Sequence, residues 1–224
     1  TAGHGAFDNV KQGRINKTRW YIQERETFLN QIRKEIKSFI AKAKARNLIP
    51  CVRLNGTSDI SWENTGLMEE FKNITFYDYS KIYKRALSYI NGELPNNYHI
   101  TYSLNEDNKK EAFDILKKGG NISAVFRKSL PKKYKGYKVI NADLHDLRFL
   151  DIKNTIAGLV AKGKARKDYS GFVLDTENSR GNLTLGNLKT WQLITPMLVG
   201  IIERIIMSKI LRIDRQGCCE QRVY

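Results

Sequence analysis

Cys51-Val52-Arg53-Leu54-Asn55-Gly56-Thr57-Ser58-Asp59-Ile60-Ser61-Trp62-Glu63 decides the reading of the fold. A short apolar run ends in Arg53 and Asn55. A glycine turn comes next, and Asp59 precedes a Trp-Glu pair. Strands that end in charged and amide side chains beside a glycine turn are how open α/β sheets and barrels carry their sites. A plain buried strand followed by a polar loop fits the segment equally well.

Working outward, the same kind of short apolar run recurs. Strands are predicted at 51–55, 74–79, 98–104, 122–126, 137–142 and 155–161. Most are runs of Val, Ile, Tyr and Phe without strict alternation, as expected for strands covered on both faces. Between them Ile82, Ala86, Tyr89 and Ile90 share a helical face that Gly92 can cap. Asn105 can start a second helix carrying Ala112, Phe113 and Leu116, which Gly119 ends. This alternation implies an α/β fold, a mainly parallel sheet with right-handed crossover helices. Too few strands are present to close an eight-stranded barrel, so the expectation is an incomplete TIM-barrel-like sheet or an open one. No helical period separates Asp143 from Ile152, so an antiparallel hairpin is expected there. Gly171-Phe172-Val173-Leu174 reads as a further edge strand.

Both flanks read as helical. Residues 1–18 form a glycine-containing loop. A long N-terminal helix is predicted at 18–46, with Phe28, Leu29, Ile32, Ile36, Phe39, Ile40 and Ala43 on one face, closed by Asn47 and Pro50. The other faces are strongly basic. Beyond an α/β domain at 1–175, a tail at 176–224 carries a C-terminal amphipathic helix predicted at 196–213, begun by Thr195 and Pro196. Its wide apolar stripe is expected to pack on the domain or on another copy of the chain, as a homo-oligomer contact.

The 39 Lys and Arg residues against 23 Asp and Glu leave a net charge of +16. Nucleic acid is the commonest partner for such an excess, and an anionic membrane surface the next. A hydrophobic content of 41% excludes a disordered chain. Three cysteines, Cys51, Cys218 and Cys219, form no disulfide framework and fit a reducing, cytoplasmic setting. No apolar run reaches the roughly 20 residues that span a bilayer.

If the sheet is parallel, the strand ends gather the chemistry. Asp59, Asp78 and Asp143 would share one rim as nucleophile, general acid and base, or ligands for a divalent metal. Arg53, Asn55, Lys81, Arg148, Lys162, Lys164 and Arg166 would hold phosphates or nucleic acid, joined by Arg127 and Lys128 after the fourth strand. Aspartates at strand ends also cap helices, and basic loops are also simply solvated. No phosphate loop, nucleophile elbow or metal-spaced histidine pair occurs.

Several stretches in order carry a resemblance: Thr1-Ala2-Gly3-His4-Gly5, Arg53 to Ile60, Phe76-Tyr77-Asp78-Tyr79-Ser80-Lys81, Leu94-Pro95-Asn96-Asn97-Tyr98, residues 143–151, 158–166 and 170–173. Over residues 1–174 the chain resembles phage and mobile-element proteins of the gene-product-88 type. In that family a cysteine-rich segment usually precedes the Thr-Ala-Gly stretch. The resemblance therefore implies an iron–sulfur cluster if such a segment precedes Thr1, and some relatives look like radical-type barrels. A phage-encoded chain is expected in the host cytoplasm. Three functions stay open: an aspartate- or metal-dependent enzyme acting on nucleic acid, for example by base exchange; a non-catalytic basic nucleic-acid-binding module; and a self-assembling structural protein.

Overall fold

The computed structural model describes residues 8–176, 208–213 and 219–222. The chain divides into two compact units, Thr1–Phe76 with Gln192–Tyr224, and Tyr77–Trp191.

In the first unit the predicted long helix is two helices, α1 (Asp8–Gln23) and α2 (Arg25–Ala45). They meet at Glu24, where Thr27 Oγ1 donates to the Glu24 carbonyl at 2.8 Å. Such back-bonding from a helical threonine competes with the backbone ladder and bends a helix. Trp20 and Tyr21 then stand edge-on to Phe28, at 5.1 and 5.5 Å between ring centres. Helix α2 buries Leu29, Ile32, Ile36, Phe39 and Ala43, a three-and-four spacing that makes one apolar stripe. Asn47, at φ 54°, ends it in the left-handed conformation that asparagine tolerates. Pro50 instead lies inside β1 (Ile49–Val52).

A short turn of 3-10 helix at Trp62–Thr65 and α3 (Leu67–Glu70) lead to β2 (Thr75–Ser80), which begins parallel to β1 with Cys51 opposite Thr75. On the other edge of β1 lies β9 (Ser208–Ile213), antiparallel, with β10 (Cys219–Arg222) outside it. The tail helix predicted at 196–213 falls mostly outside the described residues: 196–207 lie beyond them, and 208–213 are extended. Branched Ile210, Leu211 and Ile213 suit a strand as well as a helix, and pairing with β1 decides between them.

The second unit continues β2 and adds α4 (Tyr83–Ile90), β3 (Tyr98–Ser103), α5 (Lys109–Lys117), β4 (Ile122–Phe126), β5 (Lys133–Tyr134), β6 (Tyr137–Asn141), β7 (Thr155–Val160) and β8 (Val173–Leu174). The strand order is β2-β3-β4-β7-β6-β5, with β8 also on β4. Pairing is parallel for β3/β4, β4/β7, β4/β8 and β6/β7, and antiparallel only in the β5/β6 hairpin among the registers resolved in this unit. Strand β3 pairs with the first half of β4 and β8 with the second, so β8 fills the edge that β3 leaves. The row ends at β5, and the sheet is mostly parallel and not closed into a barrel.

The expected hairpin between β6 and β7 is also corrected. The two strands are parallel, with Lys138 opposite Thr155 and Asn141 opposite Gly158. Residues 142–154 are a non-helical crossover with one turn of 3-10 helix, Arg148–Leu150. They bury Leu147 and Arg148, set Phe149 5.5 Å from the Tyr77 ring, and let Tyr79 donate to Asp146 at 2.7 Å. Three aspartates break any helical stripe, which is why the sequence looks like a tight connection.

Candidate functional site

Side chains alternate across β2 and β3, and so do their partners. Asp78 is 1% exposed. Its Oδ2 accepts from the Tyr98 hydroxyl at 2.7 Å, and that hydroxyl accepts from Arg85 Nη2 at 2.8 Å. On the same face Tyr102 donates to Glu111 of α5. Tyr77, Tyr79 and His99 have the opposite parity, and Tyr77 and Tyr79 meet the 142–154 crossover. Lys81 comes directly after β2 and is exposed.

In the first unit, Asn55 is 2% exposed and closes its own loop. Its Oδ1 accepts from Ser58 Oγ (2.8 Å), the Ile60 amide (2.9 Å) and Trp62 Nε1 (3.0 Å), while Nδ2 donates to the Ile60 carbonyl (2.9 Å). Asn55, expected as a nucleic-acid contact, closes its own loop in this structure. Arg53 Nε donates to the Asn55 carbonyl at 3.1 Å. Asp59 is half-buried in the same loop.

Registers place four strand ends of the second unit side by side. Phe126 stands opposite both Val160 and Leu174, and Asn141 opposite Gly158. The residues just beyond these strands therefore form one edge. After β4 come Arg127 and Lys128. After β6 comes Asp143, whose Oδ2 accepts the Val160 amide (3.0 Å) and whose Oδ1 meets Lys162 Nζ (2.8 Å). After β7, the 3-10 turn Gly163–Lys167 buries none of its residues and leaves Lys164, Arg166 and Lys167 exposed. After β8 comes Asp175, which accepts from Arg127 Nε, while Arg127 Nη1 donates to the Arg166 carbonyl at 3.1 Å. The Arg127 guanidinium lies 4.3 Å from the centre of the Tyr169 ring.

Arg148, expected to hold phosphate, is 1% exposed. Its Nη2 donates to the His145 carbonyl, and Nη1 is 3.2 Å from Asp151 Oδ2. It is an internal charge of the crossover, so it does not join the cationic edge. Burial pushes the Asp151 carboxyl up to about 6, although Arg148 pulls the other way. Burial, then Arg148, pull His99 down to about 4 and hold His145 below its ordinary value. Among the described residues no three His, Cys, Asp or Glu side chains gather as a metal site, so the divalent-metal reading finds no ready-made donor set there. Nor does any described helix have the length and apolarity to cross a membrane.

Sequence reasoning missed Tyr169, Asp151 and His99. Tyr169 was legible as an aromatic residue set in a run of cations. The other two depend on burial, which has no local signature.

The family model for gene product 88 matches residues 1–176. The chain belongs to the gene product 88 family. The match spans the strand-end edge of the second unit and the Asn55 loop of the first. No curated protein and no solved structure matches the chain.

Proposed function

We propose that this gene product 88 family member binds nucleic acid through the cationic edge at the C-terminal ends of β4 and β7. One observation carries the reading: the Gly163–Lys167 turn, with none of its residues buried, sets Lys164, Arg166 and Lys167 beside Lys162 and Lys128. The acids on that edge are engaged, Asp143 by Lys162, Asp175 by Arg127 and Asp168 by Ser170. A net charge of +16 supplies the long-range attraction. Backbone phosphates are the natural ligand of such lysines, because each contact releases condensed counterions.

The test is fluorescence anisotropy with labelled oligonucleotides over a salt series. Affinity should fall steeply with salt, and Lys164→Glu with Lys167→Glu should lower the log–log slope by about 2, one per phosphate contact. An unchanged slope and affinity in the double variant would refute the edge as the binding surface.

A catalytic version assigns acid, base or metal-holding roles to Asp59, Asp78 and Asp143. Asp143 is the one on the cationic edge, which favours testing it first. Asp143→Asn should then abolish turnover of a nucleic-acid substrate while binding persists. Turnover at the parent rate would discard that version.

A further inference from the structure

Tyr169 is 80% exposed, the most exposed large hydrophobic side chain among the described residues. The Arg127 guanidinium lies against it at 4.3 Å from the ring centre, and Arg127 is itself fixed by Asp175 and the Arg166 carbonyl. The turn that carries Tyr169 is fixed too. Asp168 Oδ1 accepts from both the amide and the hydroxyl of Ser170, and Ser170 Oγ accepts from the Phe172 amide. Gly171 has φ 103°, a conformation that favours glycine, and a Cβ there would lie 3.0 Å from Lys109 Nζ. The lysine head therefore lies against the same turn.

We infer that Tyr169 is a stacking platform for a base of single-stranded nucleic acid, an inference that rests on the cationic edge proposed above. A guanidinium lies over the ring, and four-fifths of the side chain is left in water. Every base offers a π-face, so an open aromatic ring beside cations suits a flexible strand of any sequence. A duplex keeps its base faces within its own stack and cannot offer one without unpairing. Lys164 and Lys167, exposed in the turn before Tyr169, and Lys109, whose head lies by Gly171, would supply phosphate contacts, and Arg127 over the ring makes it a pre-ordered surface. Ordering in advance spares the strand the cost of fixing the side chain on binding. Deoxyribose and ribose strands share this chemistry.

The experiment compares oligo-deoxythymidine, oligo-uridine and a duplex, each longer than about 16 nucleotides, by fluorescence anisotropy with the full chain. The parent chain should prefer at least one single strand to the duplex. Tyr169→Ala should weaken that strand about tenfold and leave the duplex unchanged, the loss expected for one stacked base. Tyr169→Trp should bind as the parent does or more tightly. If Tyr169→Ala binds single strands as the parent does, the platform is refuted while salt-dependent binding upholds the cationic edge. If the parent binds neither strand nor duplex, the edge itself fails, and the platform with it. Thermal unfolding of Tyr169→Ala at the parent temperature shows that a lost affinity is not a lost fold.

Discussion

Replacing Asn55 by alanine removes the acceptor and the donor that tie residues 55–62 together. The amide makes four hydrogen bonds inside the loop, to Ser58, Trp62 and both backbone groups of Ile60. At about 1 kcal/mol net for each, their loss comes to about 4 kcal/mol. Ser58 is exposed and turns to water, which lowers the figure to about 3 kcal/mol. The Trp62 indole N–H is buried and loses this acceptor, adding about 1–2 kcal/mol. The expected loss is therefore about 4–5 kcal/mol. For a chain of this size that is a fall of about 10 °C or more in Tm. Circular dichroism melts and urea titrations measure it. Asn55→Asp keeps the acceptors, loses the Nδ2 donor and buries a charge, so its penalty should shrink on acidification as the carboxyl takes a proton. A loss below about 1 kcal/mol in Asn55→Ala would refute the claim that this amide organises the loop.

Three further substitutions probe the second unit. Arg148→Met removes the cation beside Asp151 and should cost about 3–5 kcal/mol at neutral pH. Because Asp151 is already pushed up to about 6, it protonates on acidification, so the loss should be smaller at about pH 5; equal losses at both would contradict the buried pair. His99 has a folded pKa near 4 against 6.5 for the free side chain, so its contribution is present above 6.5 and disappears as pH falls toward 4. His99→Gln should flatten the stability profile in that window, read as Tm against pH. Gly158→Ala would put a Cβ 2.7 Å from Val139 Cγ1 and 2.9 Å from Leu130 Cδ2, and overpacking of this kind should cost about 1–3 kcal/mol in thermal unfolding.

Composition and periodicity already determined much about this protein. The apolar runs at 74–79, 98–104, 122–126, 137–142 and 155–161 match β2, β3, β4, β6 and β7 within a residue or so, because β-branched and aromatic runs suit a buried pleated surface wherever they occur. The basic turn at 163–167 was visible as a local cluster, and the stretches that pointed to the gene product 88 family lie in sequence order. Tertiary structure decided what depends on pairing and burial. Parallel β6 and β7 needed the crossover to be laid across the sheet, which no local pattern encodes. Residues 208–213 carry an apolar run that serves helix or strand, and the free edge of β1 selects the strand. Asn55 and Arg148 are polar in sequence and buried in the fold; their polar partners lie within seven residues, but which side faces inward depends on burial. Tyr169 is the reverse case, an aromatic residue left in water with an arginine from another strand end against its ring.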